Sequence, residues 1–236
     1  MEELKESGPI PCVIYLHGNC SSRLEALDLV DYILPMNMSL FCFDFAGCGL
    51  SEGEYISLGW HERDDLEIVV EYLRKLKSRV STIGLWGRSM GAVAALMYAE
   101  KDLSIGGMVL DSPFSDLKLL VKELAINKTG VPSLLVSAAL KFVKKSVKKR
   151  AHFDLATVKP ISHVDHCYVP VLFGVARDDE FVDPKHHGEL LYEKYAGDKN
   201  LVRFDGGHNG ERPAYFMNSA AIFFQNTLFP SPESEV

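Results

Sequence analysis

Ser89 lies within Gly87-Arg88-Ser89-Met90-Gly91, between a short apolar run and a run of strong helix formers. The apolar run predicts a buried strand, and residues 92–100 predict a helix. A serine on the sharp turn between a strand and a helix is typical of a catalytic nucleophile, because glycines two positions away leave room for a strained backbone. The helix would direct its unpaired N–H groups at negative charge that develops beside the serine. The alternative is a glycine-rich turn with an incidental serine.

A serine nucleophile needs a base, and His208 is the best candidate among the eight histidines. It follows the last predicted strand, in the glycine-rich loop DGGHNG of residues 205–210. His17 is expected to fix its own loop by hydrogen bonds. Four further histidines stand in polar or helical contexts and are predicted to be surface residues: His61, His152, His186 and His187.

The acid that would orient the histidine is expected in the loop after the fifth predicted strand. Four carboxylates compete there: Asp178, Asp179, Glu180 and Asp183. Asp111, after the fourth strand, is an outside alternative. An ionised carboxylate in this role fixes the imidazole tautomer and stabilises the imidazolium. The expected donors to the oxyanion are the backbone N–H groups of Asn19 and Met90, each worth about 3 kcal/mol in the transition state.

Composition limits the other functions that the chain can have. Its 236 residues predict one globular domain, and the net charge of −7 argues against a nucleic-acid partner. No further cluster of ligands accompanies His163, His166 and Cys167, so no metal site is expected. No cofactor is expected either. No run is long enough to span a membrane, and the first residues lack a signal-peptide core. The five cysteines have no paired spacing, which favours a cytoplasmic protein with reduced thiols.

Short apolar runs alternate with helix-like segments along the chain, which predicts an α/β fold with a mostly parallel sheet. The predicted strands are 12–16, 39–43, 82–86, 106–110, 168–176 and 201–204, and the main predicted helices are 23–34, 60–77, 92–100 and 213–228. Functional residues of such sheets lie at the carboxyl ends of the strands. Those ends carry His17, Asp44, Ser89, Asp111, Asp179 and His208.

Residues 115–167 interrupt this alternation and predict two or three helices, which would form a small lid. Within them, residues 132–150 place five apolar residues on one side: Leu135, Ala139, Phe142, Val143 and Val147. Six basic residues accompany them between Lys141 and Arg150, and one interpretation is weak contact of Lys141–Arg150 with the surface of an anionic membrane. The preferred interpretation is a lid helix with its apolar side buried and its lysines in solvent.

The chain as a whole is predicted to have three parts. Residues 1–11 are predicted to be a leader, 12–229 the domain and 230–236 a disordered tail.

Together these segments resemble the α/β-hydrolase superfamily, in particular its compact serine-aminopeptidase-like hydrolases, acyl-protein thioesterases and esterases. The resemblance covers residues 10–228 and rests on His17-Gly18-Asn19, Asp44-x-x-Gly47-x-Gly49-x-Ser51-x-Gly53, Gly87-Arg88-Ser89-Met90-Gly91, Asp111-Ser112-Pro113-Phe114, Asp179-Glu180-Phe181-Val182-Asp183 and Gly207-His208. It implies a three-layer fold with helices on both faces of the sheet. It also implies Asp179 as the acid, because the family pattern of acid, any residue and two apolar residues falls there. Residues 47–53 are then a structural loop and not a dinucleotide site.

Two departures from the family pattern stand out. Ala46 occupies a position where relatives usually have arginine or tyrosine. The first predicted strand matches the family's third, so the resemblance implies about six strands with residues 39–43 at an exposed edge. Such an edge lowers stability or is covered by a partner.

The expected function is metal-independent hydrolysis of an ester, thioester or amide, through an acyl-enzyme on Ser89. The substrate is then a small molecule or an acylated protein. One alternative is a catalytically silent binding module on the same fold, since a fold does not determine a function. The other is a membrane-surface hydrolase of lipids or acyl-proteins. Acyl preference and oligomeric state are left open.

Overall fold

Six strands form the centre of the computed structural model, which describes residues 8–229. They are β1 (Ile10–Leu16), β2 (Ser39–Cys42), β3 (Val80–Arg88), β4 (Gly107–Asp111), β5 (Val171–Ala176) and β6 (Lys199–Phe204). Their spatial order is β2-β1-β3-β4-β5-β6, and every neighbouring pair is parallel. The central strands are buried on both faces, which explains their continuous apolar sequences. The predicted parallel α/β sheet is confirmed.

Seven α-helices surround the sheet within the described residues: α1 (Val30–Ile33), α2 (Glu62–Lys75), α3 (Met90–Ala99), α4 (Leu117–Thr129), α5 (Ser133–Arg150), α6 (Gly188–Lys194) and α7 (Ala214–Leu228). Apolar residues of α2, α3 and α6 pack against one face of the sheet. Residues of α1 and α7 pack against the other face. The three-layer architecture is therefore confirmed. All ten residues of α3 are buried, because this helix lies between the sheet and α2.

The segment predicted as one helix over residues 23–34 is broken into shorter pieces. A 3₁₀ helix spans Arg23–Leu29, α1 adds four residues, and a second 3₁₀ turn follows over Leu34–Met36. Pro35 stands in the first turn of that last piece, where its missing N–H is not required. The sequence pattern does not predict helix α6, because seven residues are too few to show a clear apolar period.

Within residues 8–229, strand β2 lies at one edge of the sheet and pairs only with β1. Its residues are half-buried or exposed, so the edge position expected for residues 39–43 is confirmed. Whether a partner covers this edge stays a prediction. At the start of the chain, β1 begins at Ile10, two residues inside the predicted leader. Residues 1–7 and 230–236, which include most of that leader and the predicted tail, lie outside the described residues.

Helices α4 and α5 occupy the segment between β4 and β5, together with two 3₁₀ turns. Helix α5 packs against α4 and the 3₁₀ turn at Leu155–Thr157. On α5, Val136 is buried, and Leu140 and Val147 are half-buried. Phe142 is 79% exposed and Leu135 is 60% exposed. The expectation that the apolar side of α5 is buried is therefore wrong. Apolar residues extend around more than half of the helix, and α4 covers only one narrow side of it. None of the helices between residues 8 and 229 combines the length and apolarity needed to cross a membrane.

Candidate active site

Ser89 occupies the turn between the end of β3 and the start of α3. Its backbone has φ 51° and ψ −113°, a left-handed φ that is unusual for a non-glycine residue. A Cβ atom on Gly87 would lie 2.4 Å from the carbonyl carbon of Gly91, and one on Gly91 would lie 2.0 Å from the oxygen of Leu16. Both glycines are thus required by the close approach of α3 to the strands. The Ser89 N–H donates to the carbonyl of Asp111 at 2.8 Å, which fixes the strained turn.

His208 lies between Ser89 and Asp179 and contacts both. Its Nε2 is 3.0 Å from the Ser89 Oγ, and its Nδ1 is 2.7 Å from the Asp179 Oδ2. The other oxygen of Asp179 accepts hydrogen bonds from the backbone N–H groups of Phe181 and Val182, at 2.9 and 2.7 Å. With Nδ1–H donating to the carboxylate, Nε2 is free to accept the serine proton. Three residues that are far apart in sequence are therefore arranged for proton transfer from Ser89.

The Asp179 side chain is only 2% exposed and that of His208 is 10% exposed. The ring of Phe181 stacks on the imidazole with 5.5 Å between ring centroids. This stacking and the two backbone donors leave both side chains little freedom to reorient, which preserves the geometry for proton transfer.

The competing carboxylates of the same loop make other contacts. Asp178 accepts a hydrogen bond from the backbone N–H of Gly206 at 3.2 Å and so supports the histidine loop. Asp183 accepts from the backbone N–H groups of two following residues, at 2.9 and 3.0 Å. Glu180 lines a surface depression beside His208. Among these carboxylates, Asp179 is the one that contacts the imidazole within residues 8–229.

Asp111 is held by Arg212 and not by His208. Its two carboxylate oxygens accept hydrogen bonds from the guanidinium at 2.7 and 3.0 Å, and both side chains are buried. Burial by itself lowers the pKa of Arg212, but the charge of Asp111 outweighs that effect, so this pKa is raised and the guanidinium stays charged. Arg212 also donates to the carbonyl of His208 at 3.0 Å. Asp111 therefore supports the histidine loop through Arg212.

Arg88 and Glu25 form a second support, which the sequence pattern does not predict. The Arg88 guanidinium donates to the Glu25 carboxylate at 2.7 Å and to the carbonyl of His208 at 3.1 Å. The other Glu25 oxygen accepts from the backbone N–H of Gly18 at 3.1 Å. This pair joins the serine turn, the histidine loop and the loop after β1. The signal in the sequence was a charged residue immediately before Ser89, whose partner lies 63 residues away.

The loop after β1 is held by His17, as expected. Its Nδ1 lies 2.8 Å from the carbonyl of Gly18, and its Nε2 accepts the backbone N–H of Phe45 at 3.2 Å. Beyond it, the N–H groups of Asn19 and Met90 make no hydrogen bond to another group in residues 8–229. A cavity of about 500 Å³ opens here and is lined by Gly18, Asn19, Cys20, Ser21, Glu25, Arg88, Ser89, Phe181, His208 and Asn209.

His187 is fully buried, so the prediction of a surface residue is wrong for it. Its Nδ1 accepts the backbone N–H of Ser115 at 3.1 Å, and its Nε2 is 3.1 Å from a carboxylate oxygen of Glu123 on α4. Burial lowers the pKa of the imidazole, and the neighbouring Glu123 charge only partly opposes that effect. His186, beside it, is exposed and contacts the other Glu123 oxygen at 2.8 Å. These contacts hold α4 against the loop that follows Asp179.

The histidine–cysteine segment over residues 163–167 makes structural contacts. His163 pairs with Glu100 on the segment after α3, and the Cys167 thiol accepts a hydrogen bond from the Tyr195 hydroxyl at 3.1 Å. In the described part of the chain, no three histidine, cysteine or acidic side chains converge as metal ligands would.

Comparison with known proteins identifies the class. Residues 8–163 match the model of the family described as "Serine aminopeptidase, S33". The chain belongs to this family, which places it in the α/β-hydrolase superfamily.

Curated relatives and solved structures agree with that assignment. The chain is 31% identical over 199 residues to the uncharacterized protein YqkD of Bacillus subtilis, covering 84% of this chain and 64% of YqkD. It is 23% identical over 240 residues to the lysophosphatidylserine lipase ABHD12 of Danio rerio, covering 94% of this chain and 56% of that protein. It thus spans between about half and two thirds of these relatives. The fold is similar to that of the Pyrococcus furiosus esterase Pf2001, with a TM-score of 0.74 at 22% identity over 94% of this chain and 85% of the esterase.

Proposed function

We propose that this protein is a serine hydrolase that cleaves an ester, thioester or amide bond through an acyl-enzyme on Ser89. One observation carries the proposal: the hydrogen-bonded series Ser89–His208–Asp179 at the wall of an open cavity. A serine, a base and a buried carboxylate in that geometry have the arrangement required for acyl transfer. Membership of a hydrolase family supports the same conclusion.

The reaction begins when the Ser89 Oγ attacks the carbonyl carbon of the substrate and passes its proton to the His208 Nε2. Asp179 stabilises the resulting imidazolium and keeps its ring in place. The negative oxygen of the tetrahedral intermediate accepts hydrogen bonds from the N–H groups of Asn19 and Met90. The intermediate then breaks the bond to the leaving group, which takes the proton from His208.

Deacylation repeats these steps with water as the nucleophile. His208 removes a proton from water, which attacks the acyl carbonyl and releases the carboxylic acid as the Ser89 oxygen regains its proton. The N–H groups of Asn19 and Met90 again stabilise the oxyanion. No step requires a metal ion or an organic cofactor, so the residues of this chain provide every proton transfer.

The activities of two similar proteins favour a carboxylic ester as the substrate bond. Pf2001 is an esterase, and the Danio rerio relative is a lysophosphatidylserine lipase. Lys128, Phe181 and the glycine-rich histidine loop form a further depression of about 400 Å³ beside His208, which is room for part of an acyl or alcohol group. A small molecule or an acylated protein could present such an ester.

The test combines active-site labelling with a substrate series. A fluorophosphonate probe should label the wild-type chain and not Ser89→Ala, because only an activated serine attacks the phosphorus. Hydrolysis of p-nitrophenyl esters and matching thioesters of increasing acyl length should then give the acyl preference. A chain that neither reacts with the probe nor hydrolyses any of these substrates would instead be a silent binding module.

A further inference from the structure

Helix α5 exposes an apolar stripe to solvent. Leu134 and Phe142 are each 79% exposed and Leu135 is 60% exposed. Leu134, Ala138 and Phe142 are spaced by four residues, so they lie along one side of the helix. Single exposed apolar residues are common, but a contiguous stripe of them marks an interaction surface.

The same side continues as a basic surface toward the end of the helix. Lys145 and Lys149 follow Phe142 at intervals of three and four residues, and both are exposed. Within residues 8–229, no carboxylate lies at salt-bridge distance from either lysine. We refer to this surface as the α5 face: Leu134, Leu135, Ala138, Phe142, Lys145 and Lys149.

The charge of the surrounding segment is opposite to that of the whole chain. Residues 115–167 contain ten lysines and arginines and four acidic residues, a net charge of +6, whereas the complete chain has a net charge of −7. Charges beyond about 10 Å are largely screened at 0.1 M salt. The segment therefore attracts anions locally although the protein as a whole is acidic.

Along the chain, the α5 face begins shortly after a residue that lines the candidate active site. Lys128, in the last turn of α4, lines the same depression as Phe181 and His208. Only three residues separate the end of α4 at Thr129 from the start of α5 at Ser133. Leu134, the first residue of the α5 face, therefore follows closely along the chain after Lys128, whose side chain lines this depression.

We propose that the α5 face docks on the surface of a lipid bilayer that contains anionic lipids. Leu134, Leu135 and Phe142 enter the boundary between headgroups and acyl chains, and the lysines contact anionic headgroups. The apolar and basic groups follow one another along a convex helix and do not surround a groove. That arrangement suits a fluid interface better than a folded acidic protein, which would need a complementary shape. Binding through one short apolar stripe is reversible.

The proposal is tested by co-sedimentation of the whole chain with vesicles. Vesicles of phosphatidylcholine with one third phosphatidylserine should bind the protein, vesicles of pure phosphatidylcholine should not, and raised salt should release it. The double substitution Lys145→Gln with Lys149→Gln should weaken binding about 30-fold, from the typical contribution of each basic residue near an anionic surface. Leu134→Ser with Phe142→Ser should weaken it in a salt-independent way.

The matched control residues lie in α2 and immediately after its end. Because this end precedes the start of β3, it lies at the amino end of the sheet. Lys75→Gln with Lys77→Gln makes the same charge change, and Ile68→Ser removes an apolar side chain that is 68% exposed. Both controls should bind vesicles as the wild type does. All these variants should hydrolyse a soluble ester at the wild-type rate, so that a failure of docking is distinguished from a failure of the proposed hydrolase function.

The membrane proposal is wrong if the wild type does not sediment with the anionic vesicles. It is also wrong if the α5 variants and the α2 controls bind equally well. Soluble polyglutamate provides the other arm of the test: binding to it without binding to anionic vesicles would assign the α5 face to an acidic protein. If one α5 variant does not fold, the wild-type comparison of anionic and neutral vesicles still tests bilayer binding, and the other α5 variant still tests its assignment to the α5 face.

Discussion

Two clusters in this domain each combine a serine, a histidine and a carboxylate: Ser89 with His208 and Asp179, and Ser115 with His187 and Glu123. In the first cluster the imidazole presents Nε2 to the serine and Nδ1 to the carboxylate. In the second this orientation is reversed. The same residue types therefore occur twice, at similar distances, in different arrangements.

The surroundings of the two serines differ even more than the orientations of the two imidazoles do. Ser89 lies on a strained turn beside a cavity of about 500 Å³. Ser115 is 1% exposed, its hydroxyl donates to the carbonyl of His186 at 2.9 Å, and its backbone N–H donates to the Nδ1 of His187. Ser115 thus has neither room for a substrate nor a free base. Two clusters with the same kinds of side chain thus differ in the backbone turn that carries the serine and in access to a cavity, and the proposed reactivity of Ser89 depends on both features.

Replacing each serine by alanine gives the largest expected contrast. Ser89→Ala should lower kcat for a p-nitrophenyl ester by at least about 10⁴-fold, because no nucleophile remains. Ser115→Ala should keep the wild-type rate and lose about 1 kcal/mol of stability with its hydrogen bond. Steady-state kinetics and urea unfolding measure the two effects. Fluorophosphonate labelling that persists in Ser89→Ala would assign the nucleophile elsewhere.

The two carboxylates should differ almost as strongly. Asp179→Asn should lower kcat by about 10⁴-fold, because an amide favours the wrong imidazole tautomer and does not stabilise the imidazolium. Glu123→Gln removes a charge at the second cluster and should leave kcat unchanged. Both variants are assayed on the same soluble ester. Full activity in Asp179→Asn would transfer the role of the acid to Asp178 or Asp111.

Arg88 is expected to act as a positioning residue with an intermediate effect. Arg88→Gln should lower kcat about 10- to 100-fold, because the His208 loop and the loop after β1 lose a shared anchor and a small displacement is costly. Arg203→Gln, which removes an exposed ion pair with Glu189, is the matched control and should not change kcat. A variant at Arg88 with unchanged kcat and raised KM would indicate substrate binding instead of positioning.

The smallest effect is expected from pH at the second cluster. Because the folded-state pKa of His187 is lowered, the unfolded chain binds more protons there once the pH falls below about 6.5. The free energy of unfolding should therefore fall between about pH 7 and pH 5 more steeply in the wild type than in His187→Gln. Urea unfolding at several pH values measures the two slopes. Equal slopes would show that His187 binds protons alike in both states.

Much of the fold follows from local sequence patterns. Continuous apolar runs correspond to strands buried on both faces, and the glycines around Ser89 correspond to a turn that admits no side chain at those positions. The observed strand bounds differ from the predicted ones by three residues at most. The agreement is close because the side-chain periods of helices and strands are local properties of the chain. For the same reason, the candidates Ser89 and His208 were recognisable from their position after predicted strands.

Other features depend on contacts between distant segments, and only the tertiary structure decided them. From the residues alone, the acid could be any of four carboxylates in one loop, or Asp111. Asp179 is distinguished from them by its contact with His208. The link between Arg88 and Glu25 and the buried place of His187 required partners that lie about 60 residues away. The exposure of Phe142 was contrary to expectation, because amphipathic periodicity shows which residues share a side of a helix but not what covers that side.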